Sequence, residues 1–185
     1  MIKTNRNGLR KPRQARALNY DPFRTVILNA TRLTDAEIVS TMGPIRTCEK
    51  SLREGVVTSL QFAVLDSSLD IAAGIEKSRI VRGLGEHIAS GQQALNAVGQ
   101  RAERTGAWKP TALYWHELEA VNTALDLHEF QLRQLSAGEL HRIVKQIIAT
   151  TRTQGGEVRR VSAQELTAMG LHPAMSQHPH TGAQP

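Results

Sequence analysis

The seven histidines of this chain are the first residues to consider for chemistry, because imidazole binds metals and moves protons near neutral pH. Four of them, His87, His116, His128 and His141, fall in segments with a helical pattern. A metal site in a helical bundle uses ligand spacings such as Glu-x-x-His or His-Glu-x-x-His, and neither occurs here; three of the four histidines instead adjoin a glutamate directly, as in Glu86-His87. Adjacent side chains point about 100° apart on a helix. The sequence therefore predicts no metal site and no cofactor.

Nucleophilic and phosphate-loop motifs are also missing from the sequence. His128 continues an apolar stripe, so we interpret it as a core or interface histidine held by a hydrogen bond, with a ligand role as the alternative. Cys48 is the single cysteine and falls at a core position, where burial disfavours the reactive thiolate. The bare Gly-x-Gly at 83–85 follows no strand, and the carboxylates of Glu117 and Glu119 face apart on a helix. Nothing in the sequence argues for an enzyme, although none of this excludes one.

Four of the seven aromatic residues lie between Trp108 and Phe130. Tyr114 belongs to an apolar stripe, and we expect it to anchor the core. Trp108 and Trp115 have two interpretations: they pack over one end of the helices, or they form an exposed patch that binds a protein partner.

The net positive charge of the chain is confined to its N-terminus. Residues 1–20 contain no acid and six basic residues, which equal the whole formal net charge of +6. The rest of the chain holds 17 Lys and Arg against 17 Asp and Glu. The candidate nucleic-acid-binding residues are therefore Lys3, Arg6, Arg10, Lys11, Arg13 and Arg16.

Lysine and arginine side chains spaced by small polar residues can follow a nucleic-acid backbone and release its condensed counterions. Arginine also matches the geometry of phosphate, and such arms in other proteins enter a minor groove. Two alternatives stay open: a solubilising tail, and an arm that docks on an acidic protein. The sequence does not distinguish DNA, RNA and an acidic protein as the partner. An anionic membrane is disfavoured because the arm has no apolar face.

The elements expected to carry these residues are helices. A helix is predicted from Asp21-Pro22, with Phe23, Val26, Ile27 and Ala30 on one face. Capping boxes, in which Ser or Thr precedes Glu by three residues, predict helix starts at Thr34, Ser136 and Ser162.

Other residues predict where helices end or break. Gly43-Pro44 predicts an end or kink, and a long helix follows to about Leu65 with Gly55 inside it at a close helix contact. Asp66-Ser67-Ser68 predicts a break. Gly106 predicts a helix end and Thr111 the cap of the next helix, whose stripe runs from Tyr114 to Leu135. Neither the turn at 43–44 nor the segment 163–176 gives a convincing DNA-reading helix.

Together these patterns predict an all-α fold, a bundle of about six to eight helices over residues 21–170. A disordered basic arm (1–20) and a disordered tail (171–185) flank it. No apolar run approaches the roughly 18 residues that span a bilayer, so we expect a cytoplasmic protein. The leading hypothesis is a non-enzymatic accessory protein that binds nucleic acid weakly through the arm. The second is a protein-interaction or assembly protein, with self-association as one form of it, and the third is an enzyme of unknown type.

Overall fold

The computed structural model describes residues 30–104, 106, 108, 113–156, 158, 161 and 163–168. Five long helices pack together in this part of the chain: α1 (Asp35–Arg53), α2 (Ser59–Lys77), α3 (Gly85–Glu103), α4 (Trp115–Gln134) and α5 (Ala137–Thr153). A six-residue helix, α6 (Ala163–Ala168), follows them. The described residues hold no strand, and their one β-bridge joins Arg32 to Ser136. The all-α class is confirmed, whereas the five long helices do not match the predicted count of six to eight.

Capping boxes set the starts of three of these helices. The Thr34 hydroxyl accepts the Glu37 N–H at 3.3 Å, and the Glu37 carboxylate accepts the Thr34 N–H at 2.8 Å. Ser136 and Glu139 make the same two bonds at 3.3 and 2.8 Å. Both starts are as predicted. A further box at Thr58 uses Gln61 instead of glutamate, and Ser162 lies outside the described residues.

Gly43-Pro44 was predicted to end or kink a helix; the end is wrong, because α1 continues through both residues. The missing N–H of Pro44 removes one helical hydrogen bond. The same apolar stripe nevertheless continues on both sides of the proline, in Ile38, Met42, Ile45, Cys48 and Leu52, all of them buried. Burial of that continuous face outweighs the local cost of proline.

Two other predicted features of this region are also wrong. Gly55 ends α1: its φ is +72°, its N–H donates to the Leu52 carbonyl, and no atom approaches the position of a Cβ. It therefore marks a helix C-terminus and no close contact. Asp66-Ser67-Ser68 lies inside α2, where the Ser68 hydroxyl donates to the Val64 carbonyl at 2.6 Å. That bond satisfies the hydroxyl within the helix, so the polar residues cause no break.

The helix count differs from the prediction for these reasons and because the predicted helix at Asp21-Pro22 lies outside the described residues. The same holds for the arm (1–20) and the tail (171–185). In the described part, α2 packs against α1, α3, α4 and α5. One apolar core joins the five helices, with Leu65, Leu69, Leu95, Leu125 and Leu132 almost wholly buried.

Among the described glycines, Gly91, between α3 and α4, has the least space for a Cβ. A Cβ at this position would lie 2.5 Å from the Ala124 Cβ and 3.1 Å from the Ala120 carbonyl oxygen. Neither atom is the end of a flexible side chain, so only a shift of a whole helix would make room. Glycine at 91 thus sets the spacing of the two helices that carry Arg101 and Glu117.

Substituting alanine for Gly91 is expected to lower the free energy of unfolding by about 1–3 kcal/mol, because it overpacks the α3–α4 contact. Gly85 is the matched control, since it also lies in α3 but a Cβ there would meet no atom closer than 3.5 Å. Gly85→Ala is expected to leave the free energy of unfolding unchanged or to raise it by up to about 1 kcal/mol. Urea denaturation of both variants checks the prediction, and equal effects would contradict the contact at Gly91.

Candidate nucleic-acid interface

The six basic residues predicted to bind nucleic acid, Lys3 to Arg16, lie outside the described residues, and their role stays a prediction. The structure does describe where the chain that carries them joins the helices. Arg32 forms a β-bridge with Ser136, and the Leu33 N–H donates to the Leu135 carbonyl at 3.0 Å. The N-terminal chain therefore meets the domain at the junction of α4 and α5, beside the first turn of α5.

Helix α5 carries an exposed basic stripe, which we define as Arg142, Lys145 and Arg152. These residues fall on one side of the helix, because they are three and seven positions apart. The one acid of α5, Glu139, caps the helix: hydrogen bonds from the Ser136 backbone and hydroxyl lower its pKa, and Arg142 and Arg32 lower it further. Helical spacing alone is the signal that would have found the stripe.

Between α1 and α4, in contrast to the stripe on α5, the basic side chains form ion pairs with acidic ones. Arg46 on α1 contacts acids of both helices, namely Glu49, Asp126 and Glu129. Arg133 on α4 contacts Asp35 at 2.6 Å and Glu129 at 2.8 Å. These arginines hold two helices together, so they are less available to bind a phosphate.

The net charge of the described residues is close to neutral. They hold thirteen Lys and Arg against fifteen Asp and Glu, and α5 accounts for three of these cations and one of these acids. Outside α5 the described residues therefore carry four more acids than bases. The stripe on α5 is a local exception on a body that is otherwise mildly acidic.

The two tryptophans predicted to bind a partner differ in their surroundings. Trp108 is half-buried, its ring lies 4.9 Å from that of Phe62, and its Nε1 donates to the Val57 carbonyl at 2.8 Å. Trp115 is 74% exposed at the start of α4. Trp108 is thus fixed against the core, while Trp115 has free surface. The partner-binding role of both stays a prediction.

The prediction that Tyr114 anchors the core is wrong, because Tyr114 precedes α4 and is 51% exposed. Its ring packs beneath the Arg101 guanidinium, 4.9 Å from the ring centroid, and stacks on His116. The buried position in the first turn of α4 belongs instead to Glu117, which is 5% exposed. Thr111, our predicted cap, lies outside the described residues, and α4 begins at Trp115.

Glu117 is a buried carboxylate with a complete set of charged and polar partners. Arg101 Nη1 donates to its Oε1 at 2.8 Å, Arg101 Nη2 donates to its Oε2, and the Tyr114 N–H donates to Oε2 at 3.3 Å. Burial raises the pKa of Glu117, but the hydrogen bonds from Arg101 and Tyr114 outweigh it, so the pKa is lowered overall. The pair is an ionic link between α3 and α4. No local sequence signal distinguishes Glu117 from the exposed Glu119.

The candidate chemical residues of the core lie in apolar surroundings. Cys48 is fully buried, and burial raises the pKa of its thiol to about 11. His128 is 2% exposed, as expected of a core histidine, and burial lowers its pKa to about 4. Its Nδ1 makes no hydrogen bond, whereas a side-chain hydrogen bond with Gln131 opposes the effect of burial on its pKa. No group of three or more potential metal ligands occurs among the described residues.

No helix in the described ranges combines the length and the apolar character needed to cross a membrane. A comparison of the sequence and structure with protein-family models, curated proteins and solved structures gives no match.

Proposed function

We propose that this chain is a non-enzymatic accessory protein that binds nucleic acid weakly and without sequence preference through its basic arm. The arm consists of Lys3, Arg6, Arg10, Lys11, Arg13 and Arg16. In this proposal the helical body makes protein contacts, and the protein acts in the cytoplasm. The observation that carries the proposal is the separation of charge between arm and body.

The body offers few cations for a polyanion, since outside α5 its described residues carry more acids than bases. Several of its arginines are also held in ion pairs, as Arg46, Arg101 and Arg133 are. A polyanion is attracted to concentrated positive charge, and the arm places six cations and no acid within the fourteen residues from Lys3 to Arg16. The basic stripe on α5 is a described surface that supports the same attraction.

Affinity for a short labelled DNA duplex is expected to fall steeply with salt. If all six arm cations neutralise phosphates, the log–log slope approaches about −5, and affinity drops about a thousandfold between about 50 and 200 mM salt. Fluorescence anisotropy at a series of salt concentrations measures the slope. Replacing the six arm cations with glutamine is expected to remove most of the binding.

A second variant, with glutamine at Arg142, Lys145 and Arg152, is the matched comparison. It is expected to weaken binding less than the arm variant and to leave a steep slope. If the arm variant binds as tightly as the wild type, the arm is not the site, and a loss in the second variant would assign the site to α5. A folded wild-type protein that does not bind at low salt would reject nucleic-acid binding.

The alternative function is a protein-interaction or assembly role without nucleic acid. Trp115 supports it, because a tryptophan that is 74% exposed is unusual outside an interface. A 160 Å³ cavity beside this ring is lined by Arg53, Leu118, Glu119 and Asn122. In that case the arm increases solubility or docks on an acidic protein. Absence of duplex binding would favour this alternative.

A further inference from the structure

The start of α4 carries an exposed aromatic ring, that of Trp115. It is 74% exposed, and no ring or cation in the described part of the chain stacks on it. The neighbouring ring of Tyr114 differs, because the Arg101 guanidinium lies 4.9 Å from its centroid and the His116 ring stacks on it at 5.8 Å. Trp115 therefore has aromatic surface that can receive a planar group.

A small cavity with mostly polar walls adjoins this ring. Its volume is about 160 Å³, and Arg53, Leu118, Glu119 and Asn122 line it together with Trp115. The three lining residues of α4 lie on the same face as Trp115, since they follow it by three, four and seven positions. Pockets that enclose a small molecule usually measure about 300–1,000 Å³, so this cavity has room for a single ring and not for a whole cofactor.

The cavity walls present hydrogen-bonding groups that remain available. Arg53 Nη2 donates to Glu49 at 2.5 Å, but its Nε and Nη1 have no partner among the described residues. Asn122 Oδ1 accepts from Arg46 at 3.3 Å, and within the same residues its amide N–H groups have no acceptor. Glu119 is exposed, and the described part of the chain gives its carboxylate no hydrogen bond or ion pair. The site thus combines an aromatic face with donors and an acceptor.

This combination fits an unpaired nucleobase better than a protein side chain. A base has a planar face for the indole and an edge of donors and acceptors for the polar walls. An apolar side chain would cover these polar groups without bonding them, and a lysine or arginine that stacked on Trp115 would be repelled by Arg53. Bases in a duplex are already paired and stacked, so single-stranded nucleic acid is the ligand that presents a free one.

We propose that Trp115 stacks on an unpaired base and that the protein binds single-stranded nucleic acid more tightly than duplex. This inference rests on the proposed nucleic-acid function and names the form of nucleic acid. The arm contacts phosphates, whereas the ring adds a contact that needs neither charge nor a particular sequence, since every base has a π-face. Outside α5 the described residues carry more acids than bases, so an uncharged contact is the kind that the body can add.

Anisotropy with a short labelled oligothymidylate, and with a duplex of equal length, tests the proposal in the full chain. Trp115→Ala is expected to weaken binding of the oligothymidylate about five- to tenfold and to leave duplex binding unchanged. Trp115→Phe should retain most of the affinity. Phe130→Ala is the matched control, because Phe130 is 48% exposed on the same helix but lies beside Asp126 and Glu129. It is expected to bind both ligands as the wild type does.

Tryptophan fluorescence provides a second readout. The chain has two tryptophans, and Trp108 is held against Phe62 and the Val57 carbonyl. Stacking of a base on Trp115 is expected to quench the emission of the wild type when oligothymidylate is added, whereas Trp115→Phe should show no quenching. The variant with glutamine at the six arm cations is expected to show the same quenching at a higher oligothymidylate concentration.

Failure of this proposal can be distinguished from failure of the proposed function. If Trp115→Ala binds the oligothymidylate as tightly as the wild type, or loses equal affinity for both ligands, base stacking is overturned and binding through the arm stands. If the arm variant binds duplex as the wild type does, the arm function fails, while quenching of Trp115 still supports base stacking. An unquenched wild type at saturating oligothymidylate would overturn the proposal and favour a protein partner at Trp115.

Discussion

Replacing Arg101 with methionine is expected to lower the free energy of unfolding by about 3–5 kcal/mol at pH 7, because it leaves the buried Glu117 carboxylate without its charged partner. Glu117 is 5% exposed and accepts hydrogen bonds from both terminal nitrogens of Arg101. Methionine preserves much of the packing volume of the arginine stem, so the loss reports mainly on the charge. Urea denaturation monitored by circular dichroism measures it.

The pH dependence of this effect has a defined sign. In the wild type the pKa of Glu117 is lowered, so the pair stabilises the fold above the pKa of an unfolded glutamate, about 4.3. That stability is lost as pH falls through the lower, folded-state pKa. In Arg101→Met the same carboxyl is buried without its partner, so acid relieves its penalty. The difference in unfolding free energy between the wild type and Arg101→Met is therefore expected to become smaller below about pH 4.

Two further variants distinguish the effect of breaking a buried ion pair from the effect of removing an exposed charge. In Arg101→Met with Glu117→Leu no buried charge remains, and the double variant is expected to recover much of the lost stability. Lys50→Met breaks an exposed pair with Glu54, whose atoms lie 3.9 Å apart, and should cost less than about 1 kcal/mol. A cost for Arg101→Met as small as that for Lys50→Met would show that Glu117 is not held as a buried charge.

Local chemistry in the sequence predicted the helix starts best. The capping boxes at Thr34 and Ser136 form as expected, because each depends on two side chains three residues apart and on nothing distant. The stripe of α4 was likewise visible, and Val121, Leu125 and His128 are buried in it. In these cases a single helical turn contains all the information.

Predictions failed where burial in the folded protein outweighs local preference. Pro44 and Ser68 are unfavourable in an isolated helix, yet each lies within a helix whose apolar face is buried on both sides of it. Glycines show the same limit. Gly55 was predicted at a close contact and ends a helix, whereas the contacts occur at Gly91 and at Gly99, whose Cβ position lies 2.8 Å from Phe62 Cζ. Whether a glycine lies at a close contact depends on the atom that faces it across the helix interface, and sequence spacing does not reveal that atom.

The candidate nucleic-acid interface also has features that the sequence predicts and features that depend on the fold. The arm is visible in the sequence because charge composition requires no fold. The basic stripe on α5 was predictable from helical spacing. The partners of Arg46 were not, since Asp126 is 80 residues away in sequence and only the packing of α1 on α4 brings the two together. Which cations stay available for a phosphate therefore depends on the fold.

Acid is expected to destabilise the wild-type protein through His128 as the pH falls below about 6.5. Burial lowers the pKa of His128 to about 4, the positive charge of Arg46 lowers it further, and Gln131 opposes the shift. An unfolded histidine has a pKa of about 6.5, so between pH 6.5 and 4 the unfolded chain binds a proton that the folded chain does not. The protonation of His128 therefore leaves the free energy of unfolding unchanged above about pH 6.5 and lowers it by about 3 kcal/mol between about pH 6.5 and 4.

The variant His128→Leu isolates this effect, because leucine fits an apolar core and has no proton to gain. It is expected to remove most of the fall in unfolding free energy between pH 7 and pH 4, measured by urea denaturation at several pH values. His87→Leu is the matched control, since His87 is exposed on α3, and it should keep the wild-type acid sensitivity. If His128→Leu loses as much stability on acidification as the wild type, then His128 is protonated within the folded core, and the apolar packing around it must admit water or a carboxylate.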